Sequence, residues 1–327
     1  MKHISILIPE GDCSLTHIEA THMIFSEVNL MMVNNGKPPL FSIQLVGLNN
    51  DREIKKGLYT IHPDVVMKDV HQTDLIIIPA LQGKDMKKAL EMNQPFIPWM
   101  IQQYHRGAEL ASLCIGSFLL AETGLLSGKK CTTHWGFANS FKEMFPEVEL
   151  ITEKILVDEG GIYSSGGALS FTNLILYLIE KYAGRDISIM MSKIFMIDID
   201  RDSQNPFIMF NGQKGHEDEP IKQAQEFIEQ NFSEKLTVEE LASRFALGRR
   251  NLERRFKKAT SNTVVEYIQR VKIEAAKMSL ESSRENVTEV MYKVGYSDTK
   301  AFRTTFKKIT GLSPVQYRSK YNRELTA

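Results

Sequence analysis

The stretch VTEVMYKVGYSDTKAFRTTFKKIT, Val287 to Thr310, repeats an earlier one, TVEELASRFALGRRNLERRFKKAT, Thr237 to Thr260. Phe256 and Phe306 hold the same place in the two copies, 50 residues apart, and Lys-Lys follows each. Before the turn the offset is 49, with Ala242 opposite Met291, so one residue is inserted near the start of the second copy's reading helix. In the first copy Thr237 and Glu240 form a capping-box pattern that starts a helix. Leu241, Ala242 and Phe245 give that helix a core face, and Ala246-Leu247-Gly248 makes a turn. The next helix turns Leu252 and Phe256 inward at i, i+4 spacing and leaves Arg250, Glu253, Arg254 and Lys257 on more exposed faces. In the second copy Val294, Phe302 and Phe306 are the inward set, Gly295 permits the turn, and Lys300, Arg303, Thr304 and Lys307 face out. Arginine offers a bidentate fork to guanine edges and lysine suits phosphate, so the tandem points to a sequence-specific DNA binder.

Outward from the tandem, composition divides the chain. It has 327 residues, 43% of them apolar, enough for packed cores and about two domains. Net charge is zero, yet residues 221–327 carry 21 Lys+Arg against 13 Asp+Glu, and residues 1–220 carry 19 against 27. A basic module joined to an acidic one confines nucleic-acid contact to the C-terminal part. Three cysteines, Cys13, Cys114 and Cys131, make no disulfide framework in a chain this size. No apolar stretch approaches the ~20 residues that cross a bilayer, and the apolar run Ile4–Ile8 is too short for a signal peptide. The expected setting is the cytoplasm, with no membrane contact.

Residues 1–210 alternate strand-like and helix-like segments. Ile4–Ile8, Phe41–Leu48, Asp74–Pro79 and Ala108–Leu113 read as strands; 17–33, 96–107, 117–123 and 168–182 read as helices. Ile155–Val157 and Gly161–Ser164 read as a hairpin turning at Asp158-Glu159-Gly160. This pattern predicts a flavodoxin-like α/β three-layer sandwich with a mostly parallel sheet, followed by an all-α domain with two helix-turn-helix motifs. Residues 211–220, with two glycines, a charge cluster and a proline, read as an exposed linker before a helical domain over 221–327. A helix over 267–280 holds the two repeats apart.

Cys114 sits where strand passes to helix, with Gly116 two residues on. A sharp turn of this kind exposes the side chain and sets it near helix N-terminal amides, which lower a thiol pKa. A nucleophilic cysteine also needs a positioned base; Glu19 and His134 are the candidates. The eight histidines show no metal-ligand pairing, so no metal and no cofactor are expected.

Residues 221–327 resemble the AraC/XylS family of transcription regulators, through Val294-Gly-Tyr-Ser297, Ala301-Phe-Arg303 and Phe306-Lys-Lys-Ile-Thr-Gly-Leu-Ser-Pro-Val-Gln-Tyr-Arg318. Thr263-Val264 stands where the first copy often has Ser-Pro, and Thr304 where many members carry a longer polar side chain. The resemblance implies two recognition helices in successive major-groove faces, with Arg250, Glu253, Arg254, Lys300, Arg303 and Thr304 at base-contact positions. Arg249, Asn251, Lys257, Thr299 and Lys307 complete the expected DNA-binding set. The N-terminal segments resemble the ThiJ/PfpI superfamily, a class I glutamine-amidotransferase-like fold. The matching segments are Asp74–Pro79, Cys114–Gly128, Thr132-Thr-His-Trp135, Ser164-Ser-Gly-Gly167 and Gln204-Asn-Pro-Phe207. Their order is similar to that of the GlxA-like regulators, which fuse the two domains. That subgroup usually reads Asp-Leu-Ala-Gly-Pro where this chain has His17-Ile-Glu-Ala-Thr21.

Hydrolytic members place histidine directly after the cysteine; here it is Ile115. The resemblance therefore implies a regulator rather than an enzyme, with a sensory or vestigial pocket at Cys114, Ile115, His134 and Trp135. Its expected partners are double-stranded promoter DNA, a small-molecule effector and a second copy of the chain bound through the N-terminal domain. The alternative is a cysteine-dependent hydrolase or glyoxalase-like enzyme with a regulatory DNA-binding tail.

Overall fold

A computed structural model of the chain describes residues 1–54, 57–83 and 85–322. It divides into two compact units, Met1–Gln204 and Asn205–Ala327.

The first unit is built on seven strands: β1 (Lys2–Ile8), β2 (Phe41–Gly47), β3 (Val65–Val66), β4 (Leu75–Ile78), β5 (Glu109–Leu113), β6 (Leu156–Asp158) and β7 (Ile162–Ser165). Their order across the sheet is β6-β7-β5-β4-β1-β2-β3, and every pair is parallel except the β6–β7 hairpin. The helices of this unit are α1 (Leu15–Asn34), α2 (Met86–Asn93), α3 (Phe96–His105), α4 (Ser117–Glu122), α5 (Ala138–Met144), α6 (Phe171–Ala183) and α7 (Arg185–Ile194). The apolar run of β4 shows why the sheet must be covered twice. Leu75 and Ile77 enter a core with α1, α6 and α7, while Ile76 and Ile78 enter a second core with α2 to α5. A period of two with both faces buried is the signature of a parallel strand inside a three-layer sandwich. The chain runs from β1 outward to β2 and later returns to place β4 on the other side of β1. That reversal opens a crevice at the C-terminal ends of the strands. Helices α2, α5 and α7 escape the sequence reading. For α7 the reason is local: Gly184, at φ +95, ends α6 and starts α7 with no intervening loop.

The second unit is helical: α8 (Glu219–Gln230), α9 (Val238–Arg244), α10 (Arg249–Thr260), α11 (Val264–Ser282), α12 (Val287–Lys293), α13 (Thr299–Thr310) and α14 (Pro314–Tyr321). Helix α11 serves two cores. Val264, Tyr267, Ile268 and Val271 pack with Leu252 and Phe256, and Ile273, Ala276 and Leu280 pack with Phe302 and Phe306. The Thr237–Glu240 capping box forms as expected, and Thr263–Glu266 forms another at the start of α11. Thr263 thus caps as the Ser313 of the second copy does, and Val264 stands at the first helical position where Pro314 stands in the second. The inserted residue lies in the turn: α10 and α13 are both 12 residues long and in register at 50, whereas the turns hold 245–248 and 294–298.

The compact units divide six residues before the expected end of the first domain, and 211–220 is not a free tether. The Ile208 carbonyl accepts from Lys277 Nζ at 2.6 Å, and the Phe210 ring lies 5.1 Å from that of Tyr267. Gln225 Nε2 donates to the Gln213 carbonyl, Lys214 pairs with Glu229 at 2.7 Å, and His216 bonds Gln225. Glycines and charges that signal a loop here line a strap along α8 and α11. The last residues of the expected domain, 323–327, lie outside the described residues.

Candidate nucleic-acid interface and strand-end crevice

In the helical unit the buried pairs Leu252/Phe256 and Phe302/Phe306 orient the second helix of each copy. What remains outward is the same set of places in both. Arg250, Glu253, Arg254 and Lys257 on α10 stand 50 residues before Lys300, Arg303, Thr304 and Lys307 on α13. All eight are exposed except Glu253, which is half-buried; Asn251 and Thr299 are also exposed. Positions i, i+3, i+4 and i+7 form one stripe on a helix. Arg249, expected in the contact set, is engaged within the protein. Its guanidinium meets Glu239 at 2.5 Å and Glu253 at 3.3 Å, tying α9 to α10. Arg254 donates to Asn251 Oδ1 at 3.1 Å. Nothing in the residue pattern separates Arg255 from its neighbours, yet it turns away from the stripe and grips Asp218, through Nε at 2.9 Å and Nη2 at 2.5 Å. That guanidinium holds the Asp218 carboxyl below the usual carboxylate range.

In the α/β unit Cys114 ends β5 and opens the turn into α4, as its position implied. Its backbone takes φ +56, a left-handed conformation that a non-glycine residue adopts at a cost. Gly116 is required beside it, because a Cβ there would stand 2.4 Å from the Ile78 carbonyl oxygen at the end of β4. The expected exposure and lowered pKa do not follow. The side chain is 6% exposed, and burial pushes the thiol up to about 12, outweighing the backbone hydrogen bond at Ile115. Desolvation of a thiolate exceeds what one short turn of amides returns.

Among the described residues no hydrogen bond joins the Cys114 thiol to either candidate base. Glu19 is exposed on α1, while His17, two positions earlier and so on the opposite face, is the inward residue. His134 is half-buried, its Nδ1 accepts the Gly136 N–H at 3.0 Å, and its ring stacks 5.4 Å from Trp135. Burial lowers its pKa. The segment is nevertheless tied to Cys114: Thr133 Oγ1 donates to the Cys114 carbonyl at 3.4 Å and accepts from Ser117 at 2.8 Å. Ile115 is buried and Trp135 half-buried.

Gln204 explains two motifs that the residue reading left without a role. It is 2% exposed, and its Nε2 lies 2.9 Å from the carbonyl oxygens of Thr133, Thr152 and Lys154, while its Oε1 accepts the Trp135 N–H. Gly166 makes the room, since a Cβ there would stand 1.9 Å from Gln204 Nε2. Among the described residues no group of three or more His, Cys, Asp or Glu could hold a metal ion, and no helix is long and apolar enough to cross a membrane.

The two units define a class: a doubly wound α/β domain joined to a tandem helix-turn-helix domain. Residues 34–181 match the DJ-1/PfpI family and residues 241–320 match a helix-turn-helix domain family. The chain is 26% identical over 255 residues to the HTH-type transcriptional regulator GbdR of Pseudomonas aeruginosa, covering 78% of this chain and 68% of GbdR. To the HTH-type transcriptional regulator CdhR of the same organism it is 25% identical over 291 residues, 89% of this chain and 85% of CdhR. A protein from Vibrio parahaemolyticus of known crystal structure shares the fold, with a TM-score of 0.53 and 23% identity over 59% of this chain and 98% of that one. The chain carries a DJ-1/PfpI domain and an AraC-type helix-turn-helix domain, the pair of a DNA-binding transcription regulator. Both curated relatives are regulators by name, in line with the expectation that this chain is not an enzyme.

Proposed function

We propose that the chain reads promoter DNA with α10 and α13 in successive major-groove faces about 34 Å apart. The observation that supports this best is the recurrence of four outward positions on two helices in identical register, Arg250/Lys300, Glu253/Arg303, Arg254/Thr304 and Lys257/Lys307. Arg250, Arg254 and Arg303 supply forks for base edges, Glu253 can accept from cytosine, and Lys257 and Lys307 suit phosphates. Arg249 then acts mainly as a strut for α10. Arg254→Ala is expected to weaken specific binding by about 1–3 kcal/mol and to relax specificity at one base position. An unchanged ratio of specific to non-specific affinity at fixed salt would show that Arg254 reads no base.

The α/β unit, in the same proposal, forms a homodimer in the cytoplasm and holds a small-molecule effector in the strand-end crevice beside Cys114, Ile115, His134 and Trp135. A buried, neutral Cys114 that has no hydrogen bond to Glu19 or His134 among the described residues supports a sensory role over turnover. An effector acts only through a difference in its affinity for two arrangements of the protein. Thermal shift of the full chain against a metabolite library identifies it, and a ligand whose shift survives Trp135→Ala and Ile115→Ala unchanged binds elsewhere.

A further inference from the structure

The two turns of the tandem differ in what surrounds one aligned position. Ala246 in the first and Gly295 in the second both adopt left-handed backbone, φ +51 and +73. The conformation alone does not demand glycine, since alanine serves in the first copy. Space demands it in the second: a Cβ on Gly295 would stand 2.2 Å from the Ser233 carbonyl oxygen and 2.7 Å from Lys272 Nζ. Ser233 belongs to the loop between α8 and α9, so a loop of the first helix-turn-helix unit is pressed against the turn of the second.

Lys272 lies in that contact. It is 7% exposed on α11, at the point where the helix passes from one core to the other, between Val271 and Ile273. Its Nζ donates to the Glu234 carbonyl and to the Gly295 carbonyl, 3.1 Å each. The ammonium also lies 5.6 Å from the centre of the Tyr296 ring, and Phe232 packs against both cores. A buried charge with one bond to each unit is directional and is lost if either moves, which suits it to fixing register.

We propose that Lys272 is a positioning residue: by joining Glu234 to Gly295 it sets the separation and angle of α10 and α13, and with them the half-site spacing the protein accepts. The inference rests on the reading that both helices meet DNA. Spacing is a sharp readout, because one added base pair turns a half-site by about 35° around the duplex.

The test uses the full chain and a duplex that the wild-type protein selects from a randomised pool. Affinity is measured for that duplex and for versions with one base pair added or removed between the half-sites. The wild type is expected to lose about tenfold or more on either change, by the same logic that ties a two-headed reader to helical phase. Lys272→Met keeps the aliphatic stem and removes the amine; its affinity at the selected spacing should fall about tenfold and its spacing penalty shrink to about two- to threefold. Lys272→Arg should restore both. A folded Lys272→Met protein with the wild-type spacing penalty overturns the proposal, as does a wild type with no penalty. If Lys272→Met does not fold, Lys272→Gln decides, because its shorter amide keeps a polar group in the contact without holding both carbonyls: a shifted or flattened spacing preference supports the proposal, and an unaltered one overturns it. Failure of the underlying reading looks different, as protection of one half-site alone or as full affinity in a Lys300→Ala, Arg303→Ala protein.

Discussion

Nδ1 of His17 accepts the backbone N–H of Ala80 at 3.1 Å, and its Nε2 donates to the Ala168 carbonyl at 3.0 Å. The first bond requires an unprotonated Nδ1, and the two together fix the neutral Nε2–H tautomer of a ring that also packs 4.4 Å from Phe171. Burial lowers the pKa to about 4, against the smaller opposing effect of the Ala168 bond. The unfolded chain takes up a proton near pH 6.5 that the folded ring refuses. Stability is therefore full above that pH and falls as pH drops from about 6.5 to about 4, by up to ~3 kcal/mol. Trp99 and Trp135 are the only tryptophans and both lie in the α/β unit, so denaturation followed by their fluorescence reports this unit. His17→Ala should lower stability by about 2–3 kcal/mol at pH 7 and remove the slope. The wild-type slope persisting in that variant would assign it to another group.

The Cys114 thiol, raised to about 12, holds roughly a thousandth of the thiolate of an ordinary cysteine at neutral pH. Alkylation by iodoacetamide at pH 8, followed by mass spectrometry of the Cys114 peptide, should be slower than in the urea-unfolded chain by at least about a hundredfold. Stoichiometric labelling within minutes in the folded protein would mean an open, activated thiol.

Gln204→Ala removes the buried amide that faces the Thr133, Thr152 and Lys154 carbonyls and should destabilise the α/β unit by about 2–4 kcal/mol. Gln204→Glu should be at least as damaging, since a carboxylate facing those oxygens repels them. Gly166→Ala should resemble both, because its methyl would occupy the space of the Gln204 amide. Urea midpoints from tryptophan fluorescence rank the three; a Gly166→Ala protein of wild-type stability would contradict this packing.

Asp218 caps α8 through the Ile221 N–H and takes two nitrogens of Arg255. Asp218→Ala should cost about 1–2 kcal/mol in the helical unit, and Asp218→Asn, which can still cap, less. Its carboxyl is depressed in the fold, so its contribution is present above the unfolded carboxyl pKa and is lost as pH falls below it. Far-UV circular dichroism during urea unfolding at pH 7 and pH 3 checks this: the gap between wild type and Asp218→Ala should narrow in acid.

Periodicity made much of this legible. Ile4–Ile8 and Asp74–Pro79 could be read as buried strands because each is an unbroken apolar run of strand length, and the tandem because aromatic pairs recur at one spacing with polar faces between them. Side-chain partners separated by many residues were not legible. Nothing local to Gln204 says that Gly166 makes room for it, and nothing local to Arg255 says that its fork belongs to Asp218 rather than to the exposed stripe. Cys114 shows a different limit. Its sharp turn could be inferred from neighbours in sequence, but its protonation depends on burial under residues distant in the chain. The segment 211–220 shows the same limit: its residues are exposed or half-exposed, as a polar, glycine-containing stretch implies, but nothing local to it says that Gln225 and Glu229 hold it.

The four matched positions of α10 and α13 share a scaffold but not a vocabulary. Glu253 stands opposite Arg303 in the alignment and Arg254 opposite Thr304, an acid and a base exchanged in one case and a fork exchanged for a hydroxyl in the other. In the proposed mode, one chain therefore meets two unlike words, always in the same sequence. Such a reader has a head and a tail, and its site has an orientation: reversing the site along the promoter reverses the protein on it.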